Sequence, residues 1–327
     1  MHMGRSDLRV LVTSAGRRVE LIECFRDAAA GLGVTLSIIA CDQFPALSAA
    51  CHRADVALTV PPVTDAAYVP AILDAVRAHR IDLIVPTIDP ELLPLANAAG
   101  QLANEGAVLA TSGAALVAMC CDKLATADFL ARHGLPSPRT MPLAAALAAP
   151  EDWPGPLFIK PQFGSASRGV RAAASIAALS GESWPEPMLV QALLAGSEHT
   201  INLFFDQAGQ LQSAVAHERL RVRGGEVEKG ITRRNPRLLA LAEALAAVLP
   251  HPRGALCFQA MVAPDGGASI FEINARFGGG YPLAHRAGAN FARWLIEEAL
   301  QRPPTPIDDW REGVMMLRYD STVFVDA

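Results

Sequence analysis

Residues 271–283 read FEINARFGGGYPL and place a carboxylate at Glu272, an amide at Asn274 and a guanidinium at Arg276 ahead of three consecutive glycines. Side chains alternate along a strand, so Glu272 and Asn274 share one face. Upstream, ALCFQAMVAPDGG supplies a second strand and a hairpin signal. A turn centred between Asp265 and Gly266 sets Gln259 opposite Glu272, with Asn274 two residues further along the same face. Three hard oxygen donors on one patch, with positions left for phosphate oxygens, suit Mg²⁺. The plainer alternative is the solvated polar side of a hairpin.

Two further stretches have the residue types for holding a nucleotide. In LFIKPQFGSASRGV, Lys160 ends an apolar strand before a loop with two glycines and two serines. Such a loop can fold over phosphates with backbone N–H groups while the lysine supplies charge. It is not a P-loop, since G-x-x-x-x-G-K-[ST] is absent, and a surface hairpin reads the same way. In MLVQALLAGSEHTINLFFD an apolar strand ends in a hinge whose backbone amides suit adenine. Glu198 follows seven residues after Gln191, where a carboxylate can take ribose hydroxyls. By itself this is also ordinary β structure with an exposed glutamate.

The elements that must position these residues form three segments. With 327 residues, 51% of them hydrophobic, the chain suits two or three lobes. Residues 8–110 alternate short apolar strands (LRVLVTSA, TLSIIACD, IDLIVPTID, AVLAT) with helical stretches, which implies a parallel, doubly wound α/β sheet. Ligands of such sheets sit beyond the carboxyl strand ends, here Ser14–Arg18, Asp42 and Asp89–Glu91. A boundary falls near 111–123, and from about 113 onward short strands and turns predict an α+β remainder. The segment PELLPLANAAGQLANEG reads as one helix, and LLALAEALAAVL as the only long helix of the remainder.

Composition excludes several classes. No uncharged apolar run reaches about 18 residues, so no membrane span is expected. The net charge of −5 offers no basic field for nucleic acid. Six cysteines without a CxxC spacing point to a cytoplasmic thiol protein rather than a disulfide framework or zinc site. The N-terminal VLVTSAGRR reads as a strand entering a turn, not a signal peptide, and its first βα turn lacks the glycines of a dinucleotide-binding dehydrogenase.

Taken in order, these segments resemble the ATP-grasp superfamily, in particular its carbamoyl-phosphate-synthetase-like branch. The resemblance implies a pre-grasp α/β domain over 1–112, a small grasp lobe over 113–190 and a large lobe with the metal hairpin over 191–327. It assigns Lys123 and Lys160 to phosphate binding and Gly164–Val170, with Gly164, Ser165 and Ser167, to a lid. It assigns Gln191, Ala192 and Leu193 to the adenine hinge, Glu198 to ribose, and Gln259, Glu272 and Asn274 to Mg²⁺. Arg276, with Lys160, is assigned to phosphoryl transfer, and Gly278 and Gly279 to the substrate-side loop. Ala192 stands where glutamate is usual and Ala275 where proline is common. The implied activity is ligation of a carboxylate to an amine or thiol, using ATP and Mg²⁺ through an acyl phosphate and releasing ADP and phosphate. The implied partners are small molecules, with a homodimer as a family expectation. Two other readings are a non-catalytic ATP-binding sensor or partner subunit and a kinase-like phosphotransferase.

Substrate contacts have more than one reading. The arginine-rich stretch HERLRVRGGEVEKGITRR offers Arg219, Arg223 and Lys229 for an anionic substrate or the γ-phosphate, or is a solvated charge run. Glu91 either receives an ammonium group or complements a helix dipole from the first turn. Arg17 and Arg18 follow Gly16 at a helix start, where an anion is favoured but where they could as easily be exposed.

Overall fold

Strand β1 (Asp7–Val12) is almost wholly buried because it lies at the centre of a sheet. The structure, a computed structural model, describes residues 6–153, 155–164, 168–305 and 309–325. In its first segment β1, β2 (Thr35–Asp42), β3 (Val56–Thr59), β4 (Leu83–Val85) and β5 (Val108–Leu109) form a parallel sheet in the order β3-β2-β1-β4-β5. Helices α1 (Val19–Leu32), α2 (Ala49–Arg53), α3 (Tyr68–His79), α4 (Asp89–Asn97) and α5 (Ala99–Asn104) connect these strands. Gly33, at φ 64°, ends α1 and donates its N–H to the last-turn carbonyls of Ala29 and Ala30. The helix expected to run unbroken from Pro90 is instead two, parted at Ala98.

Strand order reverses between β2 and β4, on either side of β1. That reversal opens a crevice at the carboxyl ends of β1 and β4, the position where doubly wound sheets take ligands.

Next come α6 (Ala114–Cys121) and α7 (Lys123–Arg132). A four-stranded antiparallel sheet, β6-β9-β7-β8, follows from β6 (Thr140–Pro142), β7 (Leu157–Pro161), β8 (Arg171–Ala173) and β9 (Met188–Ala192), with α8 (Leu143–Ala148) against it. Its core is small: Leu143, Trp153, Leu157, Ile159 and Val190 are central members.

The third sheet is antiparallel and six-stranded, in the order β14-β13-β10-β11-β12-β15. It comprises β10 (Ser197–Phe205), β11 (Leu211–Arg223), β12 (Glu226–Thr232), β13 (Gly254–Val262), β14 (Ala268–Asn274) and β15 (Met315–Leu317), with α9 (Pro236–Ala246) between β12 and β13. Leu116, Val117, Phe129 and Leu130 of α6 and α7 share a core with Ile201, Leu203, Phe258 and Ile273 of this sheet. The two helices that the sequence grouped with the small lobe thus pack on the large one.

Helices α10 (Tyr281–Ala287) and α11 (Phe291–Ala299), not read from the sequence, return the chain to the first sheet. One buried cluster joins Val10, Phe25 and Leu83 to Phe204, Phe277, Tyr281, Phe291 and Trp294. Phe277 sits at the junction, 6.1 Å from the Phe25 ring and 4.6 Å from Tyr281. The first and third sheets are therefore held by a shared apolar core, which fixes the walls of the cleft between them. Among the described residues no helix is long and apolar enough to cross a membrane. Phe277→Ala should cost about 3–5 kcal/mol, read as a lower Tm by calorimetry; an unchanged Tm would mean that this junction is not shared packing.

Candidate active site

A cleft of about 580 Å³ opens where the three sheets meet. One of its walls is the β13–β14 hairpin, with Gln259 opposite Glu272 and Cys257 opposite Asn274. That pairing is the expected one, but it is reached differently. Ala263 and Gly267 close the turn, which centres on Asp265, and Val262 pairs with Ala268. Near the turn the register is therefore one residue off the expected alignment. A bulge at Phe271 restores it before the chemistry begins, since Ala260 pairs with Ile270 and Gln259 with Glu272. Both Phe271 and Glu272 line the cleft, which strict alternation forbids and a bulge permits. The Phe271 carbonyl accepts a 3.1 Å hydrogen bond from Lys160 Nζ.

Lys160, on β7 of the small sheet, is 4% exposed. Burial lowers its ammonium to about 8, with the nearby Glu272 opposing that shift and Lys123 adding to it. Lys123 opens α7, whose N-cap Asp122 accepts from the amides of Leu124 and Ala125. The same carboxylate accepts from Gln162 at the base of the glycine loop, and Lys123 Nζ donates to the Gly164 carbonyl. Both lysines and Gly164 line the cleft; Ser165 and Ser167 lie outside the described residues.

Gln191, Ala192 and Leu193 border the cleft as a hinge segment, yet their polar groups are engaged. The Gln191 amide group donates to Thr140 Oγ1 at 2.7 Å. The Ala192 and Leu193 N–H groups donate to the carbonyls of Arg139 and Pro156. Leu194, also in the cleft wall, makes no backbone hydrogen bond as donor among the described residues.

Glu198 and Arg219 both line the cleft and are ion-paired with each other, Arg219 also donating to the Gly225 carbonyl at 2.7 Å. Arg223 and Lys229, proposed from the sequence as substrate contacts, are not cleft residues. Arg223 is exposed and paired with Asp320 and Glu228, and Lys229 is exposed on β12. The β11–β12 hairpin turns their side of the strands to solvent. Glu91 is likewise no receptor for a substrate amine. It is fully buried, and its two oxygens accept from Ser14 Oγ, Tyr68 OH and the amides of Thr87 and Ile88. Of these donors Ser14 lies in the turn after β1, at φ 46°, while the others come from α3 and the turn after β4.

Arg276 is held by Asp89, the first residue of α4, through Nε at 2.8 Å and Nη2 at 2.7 Å. It also donates to Asn274 Oδ1 at 3.3 Å and the Phe277 carbonyl at 3.2 Å. Burial works against its charge, but Asp89 more than offsets this and holds its pKa above the usual guanidinium value. Four of about five N–H donors are thus committed, leaving one for a ligand.

Gly278, Gly279 and Gly280 follow. A Cβ on Gly279 would lie 2.8 Å from the Glu226 carboxyl carbon, and one on Gly280 would lie 2.6 Å from His217 Nε2. These glycines admit two polar side chains from β11 and β12 against the loop. Glu226 in turn bridges Arg18 and Arg318, at 3.0 Å each. Sequence reasoning did not single out Glu226 or Arg318. Glu226 was hidden in the charge run, and MLRYD around Arg318 carries no periodic signal.

The donor set fits a divalent ion only in part. Among the described residues no group of three or more His, Cys, Asp or Glu is placed to hold a metal. One carboxylate and two amide oxygens leave about half of an octahedral shell to ligand oxygens or water, an arrangement open to magnesium with a nucleotide. Replacing Asp89 or Arg276 by alanine alone should each cost about 3–5 kcal/mol. The double replacement should cost clearly less than their sum, as a double-mutant cycle by thermal denaturation would register; strict additivity would mean the pair is not coupled.

A family model described as a PylC-like N-terminal domain matches residues 10–110, and one described as ATP-grasp in the biosynthetic pathway with Ter operon matches residues 185–321. No curated protein matches the chain. Among solved structures the chain is similar to the biotin carboxylase domain of 2-oxoglutarate carboxylase from Hydrogenobacter thermophilus, a structure holding MgADP, ADP and bicarbonate. The identity is 17%, over 96% of this chain and 74% of that one, with a TM-score of 0.73. It is similar also to N5-carboxyaminoimidazole ribonucleotide synthetase from Thermotoga maritima, at 15% identity over 92% of this chain and 78% of that one, with a TM-score of 0.67. An L-amino acid ligase from Bacillus licheniformis matches at 18% identity over 93% of this chain and 76% of that one, with a TM-score of 0.66. The two family matches fall on the parallel first sheet and on the large antiparallel sheet, and with the shared fold they make this chain a member of the ATP-grasp superfamily.

Proposed function

We propose that the chain is an ATP-dependent ligase that joins a carboxylate to an amine or thiol, with Mg²⁺ as its metal. The observation that carries this reading is the hairpin face: Gln259, Glu272 and Asn274 lie together in a cleft that also receives Lys123, Lys160 and Arg276. MgATP, when bound, supplies the phosphoryl group that turns the carboxylate into an acyl phosphate and releases ADP. Lys123 and Lys160 neutralise phosphate oxygens, and the one uncommitted Arg276 N–H faces charge that develops during transfer. Gln259, Glu272 and Asn274 would hold the metal. The amine or thiol enters from the first sheet, where the crevice between β1 and β4 joins the cleft. No protein nucleophile is needed, since the acyl phosphate is itself activated toward attack.

Lys160 gives this reading a pH signature. Between its lowered value of about 8 and the ordinary 10.5 the free protein leaves this amine largely neutral. A polyanion beside it favours the charged form, so nucleotide binding should take up a proton in that window and not below it. Calorimetric titration of MgADP at pH 9 in buffers of different ionisation enthalpy would show the uptake, and Lys160→Met should remove it. A buffer-independent heat would take Lys160 out of the phosphate site.

Hydroxylamine trapping tests the chemistry. Incubation with MgATP, hydroxylamine and a panel of amino, hydroxy and dicarboxylic acids should yield a hydroxamate from one acid with matching ADP release. Glu272→Ala should lower that yield by at least about 100-fold with the circular dichroism spectrum unchanged. A stable phosphorylated product in place of hydroxamate would favour a kinase instead.

A further inference from the structure

The proposed ligase reading leaves a group of cations in the cleft without a task. Arg17 and Arg18 stand on the turn after β1, at the carboxyl end of the first sheet, and both line the cleft. Arg17 is exposed and has no ion-pair partner among the described residues. Arg18 is half-buried, reaches the Glu226 carboxylate at 3.0 Å and lies near Arg276. From the far end of the chain, Arg318 takes the other Glu226 oxygen at 3.0 Å and donates to the Gly279 carbonyl at 2.7 Å. With Arg276 and its partner Asp89 counted, four guanidinium groups against two carboxylates leave an excess of positive charge around the Gly278–Gly280 loop.

A second, independent feature points to the same place. His217 is fully buried behind Gly280. Asn202 Nδ2, which can only donate, lies 3.3 Å from its Nδ1 and so leaves the ring proton on Nε2. Nε2 has no hydrogen-bond partner. A buried N–H without an acceptor is costly, and this one ends against a glycine that lines the cleft. Burial, with Arg219 nearby, lowers the imidazole to about 3, so it stays a neutral donor at every working pH.

We infer that Arg17 and Arg18 in the cleft wall, backed by Arg318 on Glu226 and by the buried His217 behind Gly280, form a pocket for a second anionic group on the substrate, a carboxylate or phosphate distinct from the carboxylate that is activated. Glu226 is its positioning residue. It spans Arg18 of the first sheet's turn and Arg318, just after β15, whose guanidinium also donates to the Gly279 carbonyl of the loop. Asp42, at the end of β2, has both oxygens engaged, since they accept from the amides of Gly16 and Phe44. A substrate that presents only one carboxylate would leave these cations unmatched. The pocket therefore selects dicarboxylates, amino acids joined through a side-chain acid, or phosphorylated acids.

The test separates this pocket from the nucleotide site. The full chain is saturated with a non-hydrolysable MgATP analogue, and succinate, butyrate and glycerol 3-phosphate are titrated by calorimetry. Succinate or glycerol 3-phosphate should bind and butyrate should not; which of the two binds distinguishes carboxylate from phosphate as the anion. Arg18→Gln and Arg17→Gln should each weaken that binding about tenfold or more while the analogue's Kd changes less than about twofold. Arg18→Lys should recover part of the loss. Equal binding of butyrate and succinate, no binding of either dianionic probe, or binding untouched by both arginine variants would overturn the pocket. If the analogue itself fails to bind, the ATP reading falls, and the same titrations on the free chain still decide the pocket by the Arg17 and Arg18 variants.

Discussion

The cleft depends on the bidentate pair of Arg276 with Asp89. Arg276 sits just beyond the strand that bears Glu272 and Asn274, and Asp89 begins the helix that leaves the first sheet. Two parallel N–H···O⁻ bonds fix both angle and distance, which a single contact cannot do. Around this pair the aromatic junction at Phe277 supplies apolar cohesion, and Glu226 supplies a second polar tie through Arg18 and Arg318. The arginine that the family resemblance assigned to phosphoryl transfer thus also acts as the joint between lobes.

The Phe271 bulge shows how a local irregularity serves a site. A three-residue turn at Asp265 sets one register, and the oxygen donors need another. One extra residue in β14 reconciles them, and the carbonyl at that place anchors Lys160 from a different sheet. Two lobes are tied at the point where the Gln259–Glu272–Asn274 face begins. The small lobe's own core is modest, and besides this tie Lys123 donates to the Gly164 carbonyl.

Charge is sorted along the β11–β12 hairpin. Residues toward its tip and outer side, Arg221, Arg223 and Lys229, face solvent and carboxylates such as Glu228 and Asp320. Residues turned inward, Arg219 and Glu226, line the cleft and meet Glu198 and Arg18, which also line it. The difference between a solvated charge run and a substrate wall is thus a matter of strand face and register within one segment, including the irregularities at Arg219–Val222.

The sequence alone determined what is local. Period-two alternation set Glu272 and Asn274 on one face, the apolar strands between helices specified a parallel first sheet, and the order of lysines, hinge and metal strand carried the family. What crosses between distant segments was decided by tertiary structure. Glu91 looked like an available carboxylate until burial brought Ser14 and Tyr68 to it, and Arg223 looked like a substrate contact until Asp320 arrived from nearly a hundred residues away. Helices α10 and α11 and the small β15 strand went unread because each is short and stabilised by packing rather than by its own pattern. Side-chain partners separated by long loops leave no periodic trace, because the free energy that selects them comes from desolvation and geometry that exist only once the lobes have met.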